Sequence, residues 1–155
     1  WMLTELADAL PHLLIVSAGS IGDAFYDRVV PPNMVFTGVI TDASRRLLLR
    51  SAHVALNPMR LGSGTNLKLV EYLSNQIPTV STPFGARGLD VVDGTHLRLA
   101  EPEGFAAAID HVLTDADAAA RMARAGRDLV ATDLAWPVLA DQLTDLVTST
   151  AGIVL

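Results

Sequence analysis

The sequence predicts an α/β domain: a Rossmann-like, doubly wound parallel sheet with helices on both faces. Three observations carry this expectation. Short apolar runs of about five residues recur along the chain, and helix-like stretches separate nearly all of them. Every glycine-rich connection between them follows a strand-like run. Strand and helix alternating through short links build a parallel sheet by right-handed crossovers, with the ligand outside the carboxyl ends of the strands. At 155 residues the chain has the size of one domain, enough to bury a core.

The elements follow in order. "WMLTELADAL" opens as a helix with no strand before it, and "HLLIVSAG" (12–19) is a short apolar run ended by glycine, as befits a buried parallel strand. "SAGSIGDAF" (17–25) comes next on the ligand edge, either as a glycine turn or as a loop that approaches the ligand. "MVFTG" (34–38) is the second strand. "DASRRLLLRSA" reads as a helix capped by Asp42, with Leu47, Leu48 and Leu49 apolar. Its Arg45, Arg46 and Arg50 make a solvated face, or meet a small anion. "HVALNP" (53–58), "PTVSTP" (78–83) and "HLRLA" (96–100) supply three more strands. Then "EGFAAAIDHVL" sets Phe105, Ile109, Val112 and Leu113 along one side of a helix. The alanine-rich "ADAAARMARAGRDLVA" and "PVLADQLTDLV", with Val138, Leu139, Leu143 and Leu146, close the series, and Trp1 and Trp136 read as packing residues. The last five residues, "AGIVL", look like the start of a strand.

Composition narrows the function. The net charge is −6 without a basic cluster, which argues against nucleic acid, whose binding needs lysine and arginine to release counterions. Half of the residues are apolar, yet no run approaches the roughly 18–20 needed to span a bilayer. No signal peptide is visible, so a soluble cytoplasmic protein is expected. Cysteine is absent, which removes disulfides and thiolate chemistry. The four histidines show no metal-ligand spacing, and no metal is expected. Ser17, Ser20 and Ser81 lack a nucleophile elbow, so a hydrolase is not supported. A phosphoacceptor receiver would need an aspartate ending the third strand, where Asn57 and Pro58 stand.

The chemistry concentrates in "MRLGSGTNLKLVEYLSNQIPTVSTP" (59–83). Gly62 and Gly64 are too close for a P-loop, and Leu67 stands where a dinucleotide fingerprint needs its third glycine. What remains is a glycine-rich loop ahead of a helix that Ser63, Thr65 or Asn66 can cap. The unpaired N–H groups and positive dipole end of such a helix suit a diphosphate, and glycines permit close approach. Along the helix Leu67, Leu69, Val70 and Leu73 form the arc facing the sheet, while Lys68, Glu71 and Tyr72 fall opposite. A carboxylate accepts two hydrogen bonds, so Glu71 can clasp the paired hydroxyls of a ribose. On spacing alone the favoured reading is a capped surface helix with an ordinary Lys68–Glu71 pair.

Taken together, Phe36-Thr37-Gly38, Asn57-Pro58, Gly62-Ser63-Gly64-Thr65, Lys68, Glu71 and Ile77-Pro78-Thr79-Val80 stand in a specific order. In that order the chain resembles the C-terminal, donor-binding domain of GT-B glycosyltransferases, above all the GT4 or glycosyl transferases group 1 family. The tail "AEPEGFAAAIDHVLTD" and Trp136 are similar to that family's closing helices, so the likeness covers nearly the whole chain. It implies that residues 1–150 bind a nucleoside diphosphate sugar as substrate, with no cofactor. Glu71 matches the second glutamate of the family's Glu-x7-Glu motif and would bind the donor ribose. Ser63 stands where the first glutamate falls. Ser63, Gly64, Thr65, Asn66 and Leu67, with Arg60 and Lys68, would meet the diphosphate, and Gly38 and Val39 the nucleobase. Gly85 and Gly88 would shape a turn near the sugar, and the resemblance assigns no catalytic residue.

The resemblance also implies partners. GT-B enzymes react between two domains, and the N-terminal acceptor domain has no counterpart in this sequence, so the segment alone should be inactive. The family's first strand, between those matching His12–Ala18 and His53–Asn57, has none either. Residues 151–155, from the same or a neighbouring chain by strand exchange, are expected to fill that slot. Peripheral membrane association of the full-length enzyme is compatible with the family. The implied activity is transfer of a sugar to a hydroxyl acceptor, with retention of configuration. The alternative is a non-catalytic scaffold or partner-binding module that keeps the fold.

Overall fold

The computed structural model describes residues 2–25, 27–62 and 64–151. Helix α1 (Met2–Ala9) leads into strand β1 (Ile15–Ala18) and a short 3-10 helix (Ser20–Phe25). Strand β2 (Met34–Gly38), helix α2 (Asp42–Ser51) and strand β3 (Ala55–Asn57) follow. Helix α3 (Leu67–Ser74), strand β4 (Thr79–Ser81) and strand β5 (Arg98–Leu99) come next. Helices α4 (Phe105–Thr114), α5 (Ala116–Asp133) and α6 (Trp136–Ala151) complete the described chain. Each strand lies inside a segment expected to form one, and all three strand pairings are parallel. Among the described residues no helix is long and apolar enough to cross a membrane.

Local chemistry explains how the elements begin and end. Thr41 takes an extended backbone and its hydroxyl accepts from the Ser44 amide at 3.2 Å. The cap of α2 is therefore Thr41, and Asp42 is instead the first helical residue, beside the positive end of the dipole. At the end of α1 the last carbonyls lack helical partners. The Asn33 amide nitrogen lies 3.0 Å from the carbonyl oxygens of Ala7, Leu10 and Leu13. One side chain thus satisfies that helix end and ties it to the start of β2.

Two apolar clusters hold the layers together. In the first, Leu6 and Leu10 of α1 meet Ile15, Met34 and Val80 of the strands and Phe105 and Ile109 of α4. In the second, Leu69 and Leu73 of α3 meet Ala86, Leu97 and Val130 of α5. Helices therefore cover the strands from both sides, as a doubly wound arrangement requires. Burying each large apolar side chain stabilises the fold by about 1.5–3 kcal/mol relative to exposure.

The strands do not close into one sheet. Among the described residues β1 pairs with β2, while β3, β4 and β5 form a separate three-stranded sheet in that order. Among the described residues β1 and β3 therefore each keep one unpaired edge. The strand expected from residues 151–155 meets a helix at its first residue, since α6 runs through Ala151. Residues 152–155 lie outside the described residues, as does Trp1.

Several burial expectations are corrected. No residue of α2 is buried, and Leu47 is exposed. Leu67 is 77% exposed because it is the first residue of α3, ahead of the turn in which Leu69 and Leu73 reach α5. Trp136 is 85% exposed, as are much of Leu143 and Leu146, because α6 packs only lightly on α5.

Gly126 sits in α5 where that helix meets α3. A Cβ there would lie 2.6 Å from the His96 carbonyl oxygen and 2.8 Å from Leu73 Cδ2. In an open helix alanine is better than glycine by up to about 1 kcal/mol; here the backbone contact wins. Gly126→Ala is expected to cost about 1–3 kcal/mol, read as a lower urea midpoint with an unchanged slope, and Gly126→Val more. A rise in the midpoint would mean that the His96 backbone gives way freely.

Candidate functional site

Strands β3 and β4 end side by side in polar residues that water does not reach. Asn57 is 3% exposed and Ser81 fully buried, with Thr82 and Asn66 buried beside them. Buried polar groups must find partners, and these find each other. Asn66 Nδ2 donates to Asn57 Oδ1 at 2.7 Å, and Asn57 Nδ2 donates to Ser81 Oγ at 2.9 Å. Ser81 Oγ donates to the Thr82 carbonyl at 2.9 Å. Thr82 Oγ1 donates to the Met59 carbonyl and accepts from the Gly85 amide at 3.0 Å. The Asn57 carbonyl accepts from the amides of Met59 and Thr82. The loops after β3 and β4 are thereby fastened to the strand ends and to one another.

Asn66 has a second role. Its Oδ1 accepts from the Lys68 amide at 3.1 Å, and its carbonyl accepts from Leu69 and Val70. Of the three residues able to cap α3, Asn66 is the one that does so, while Ser63 lies outside the described residues. Gly64 takes a φ of +69°, a left-handed turn that favours glycine. Across from this loop, a Cβ on Gly88 would stand 3.2 Å from Thr65 Oγ1, so the "FGARGLD" turn lies against it.

Arg87 from that turn also reaches the loop, a contact that spacing within the segment does not indicate. Its guanidinium lies 4.1 Å from the centroid of the Phe84 ring, and Nη1 donates to the Phe84 carbonyl at 2.9 Å. Its Nη2 is 3.5 Å from the place a Gly62 Cβ would take. The available signal was a cation set between Gly85 and Gly88, two glycines already read as a turn. Arg60 and Lys68 are both exposed. Arg60 lines a cleft of about 260 Å³ with Met59, Thr82, Phe84, Glu101 and Glu103, whose walls do not include Glu71.

Glu71 stands one turn into α3 with its side chain 28% exposed. Its Oε1 is 2.5 Å from Arg45 Nη1 of α2, and Arg45 Nη2 is 3.3 Å from Asp42 Oδ1. The expected Lys68–Glu71 pair is replaced by one between helices, and Arg45 is a further residue that spacing did not single out. Three arginines on "DASRRLLLR" share one compositional signal, and nothing local says which faces α3. Helix α2 starts just past Gly38 and Val39 at the end of β2, where Gly38 has a φ of +65° and Val39 is exposed. Arg45 therefore links α2 to Glu71 of α3. Among the described residues no group of three histidine, aspartate or glutamate side chains could hold a metal ion.

Two expectations test this geometry. Asn66→Ala removes the cap and strands Asn57 Oδ1, and is expected to lower stability by about 2–3 kcal/mol in urea unfolding. An unchanged midpoint would deny the ladder its structural role. Tyr72, beside Glu71, has its pKa raised above 10.0, first by burial and then by the Glu71 charge. Above pH 10.0 the unfolded chain loses the phenolic proton while the folded chain keeps it. The unfolded state then binds fewer protons and stability falls as pH rises, until the folded pKa is passed. Tyr72→Phe should remove this part of the alkaline loss in denaturant midpoints taken on either side of pH 10.0.

The glycine loop and Glu71 thus lie past the carboxyl ends of parallel strands, where this class of fold places ligands. The fold is similar to the C-terminal domain of a glycosyl transferase group 1 family protein (LpcC) from Francisella tularensis. That match has a TM-score of 0.57 and 21% identity over 75% of this chain and 59% of that one. Anabaena HepE, solved in complex with UDP and glucose, matches with a TM-score of 0.75 and 16% identity over 93% and 44%. Sucrose-phosphate synthase from Thermosynechococcus elongatus matches at 0.71 and 18% over 97% and 42%. The chain spans between 42% and 59% of the length of these structures, and the likeness shows a shared fold, that of a GT-B C-terminal domain. No curated protein matches the chain. A sequence model of the family described as glycosyl transferases group 1 covers residues 2–115, well over half of the chain, and this protein belongs to that family.

Proposed function

We propose that this domain binds a nucleoside diphosphate sugar, and that the full-length protein transfers the sugar to a hydroxyl acceptor with retention of configuration. One observation carries the reading. Asn66 both caps α3 and, through Asn57, fastens the glycine loop to the strand ends, and Glu71 stands one turn further along the same helix. The end of a loop suited to a diphosphate and a carboxylate suited to a ribose are thus joined through one helix. Family membership and a relative solved with UDP and glucose support the same reading.

In this reading Glu71 accepts hydrogen bonds from the ribose hydroxyls. Ser63, Gly64, Thr65, Asn66 and Leu67 offer backbone to the diphosphate beside the positive end of the α3 dipole. Lys68 and Arg60 add positive charge, and Gly38 and Val39 flank the base. As the glycosidic bond breaks, negative charge grows on the departing diphosphate, and fixed dipoles and cations aimed there lower the barrier. The nucleotide sugar is a substrate rather than a resident cofactor. The acceptor and the remaining catalytic groups belong to the rest of a protein about twice this length, by analogy with HepE, of which this chain covers 44%. The protein works in the cytoplasm.

The direct test is calorimetry of the full-length protein with UDP, GDP and ADP. One of them is expected to bind, and Glu71→Ala to weaken it by about 10- to 100-fold, as loss of charge-assisted bonds would. Absence of binding by all three, or equal binding by the variant, would overturn the assignment and leave the scaffold reading in its place.

A further inference from the structure

Arg45 makes the ion pair that reaches Glu71, with Nη1 2.5 Å from Oε1. No residue of α2 is fully buried, and the Arg45–Glu71 pair is a direct link from this helix to α3. Thr41 fixes where α2 begins, and Asp42 takes the other arm of the Arg45 guanidinium at 3.3 Å. The fork therefore stands braced between a residue of its own helix and the carboxylate of the next.

A glutamate turns about three side-chain bonds, and a carboxylate free to rotate loses that freedom when a ligand takes it. A carboxylate also has about four lone-pair sites, of which one arginine N–H uses a single one. We propose that Arg45 is a positioning residue: it holds the Glu71 carboxylate in the orientation that accepts the ribose hydroxyls. The ordering cost is then met before the nucleotide arrives, which is how preorganisation raises affinity. Arg45 itself need not touch the nucleotide. This inference rests on Glu71 as the ribose ligand, and it adds what makes that ligand selective for a ribose over a deoxyribose.

The pair is half exposed on the arginine side, so it contributes little to folding, and its removal should be read in binding. The experiment uses the full-length protein with whichever of UDP, GDP and ADP it binds, each alongside the 2′-deoxy nucleotide. Arg45→Ala is expected to weaken the ribonucleotide about 3- to 10-fold and the deoxynucleotide less, narrowing the ratio between them. Arg45→Lys, which keeps one charged donor, should restore part of both, and the thermal midpoint should hardly move. In a Glu71→Ala background Arg45→Ala should add nothing further. Arg50→Ala, on the same helix, should leave affinity unchanged.

Tighter binding by Arg45→Ala would overturn the proposal, because the arginine would then compete with the ribose. Equal weakening of both nucleotides would overturn it as well, since the arginine would then act on some other part of the ligand. If Glu71→Ala weakens binding and Arg45→Ala does not, only the positioning role falls. If Glu71→Ala is silent, or no nucleotide binds, the ribose reading falls and this inference with it.

Discussion

The site depends on a single buried amide. Asn57 ends β3 out of contact with water and uses both ends of its side chain, accepting from Asn66 and donating to Ser81. A leucine, of the same branched shape, would take that partner from the Asn66 amide and the Ser81 hydroxyl, and a buried polar group left unpaired costs about 1–3 kcal/mol. Because the partners lie on the loop after β3 and the end of β4, one residue fixes the relative position of both. The start of α3 follows, since the residue that meets Asn57 is the one that caps the helix. A polar network at the strand ends thus anchors both ends of the glycine-rich loop, at Met59 and at Asn66.

Around that anchor, apolar packing supplies stability and electrostatics supplies direction. Leu69 and Leu73 seat α3 against α5 and leave its opposite side facing α2. Glu71 emerges on that side, partly screened from water, where it draws in Arg45 and adds its charge to the burial that raises the pKa of Tyr72. The buried side of the helix is committed to the fold, and the side that carries charge is available to a ligand. The close approach at Gly126 belongs to the same packing: a side chain there would meet the His96 carbonyl and the tip of Leu73.

Much of the fold was legible because its signals are local. Five strands were bracketed by glycine, proline and β-branched runs, and β2 was bounded to the residue. Phe105, Ile109 and Val112 were placed in the core by helical spacing, and all three are buried. Exposure was harder to read where it depends on neighbours. Leu47, Leu67 and Trp136 have the character of core residues, yet each is mostly exposed among the described residues. The cap of α2 was misplaced by one residue, since Thr41 and Asp42 have similar capping chemistry and backbone geometry decides between them. The division into two sheets was not legible either, because hydrogen-bond pairing between strands leaves no trace in any one strand.

The sequence alone determined the alternating α/β class, the ordered constellation that carries the family, and Glu71, Asn66 and the glycines as the residues to examine. These are properties of spacing and residue type, which a chain carries unfolded. Only the tertiary structure decided that Glu71 pairs with Arg45 rather than Lys68, and that Arg87 lies beside Gly62. It alone joined Asn57, Ser81 and Thr82 into one ladder. Those partners come from different elements, 26 residues apart for the ion pair and 24 for Asn57 and Ser81. Which of several similar side chains meets which is set by how helices and strands pack, and periodicity within one segment contains no information about that.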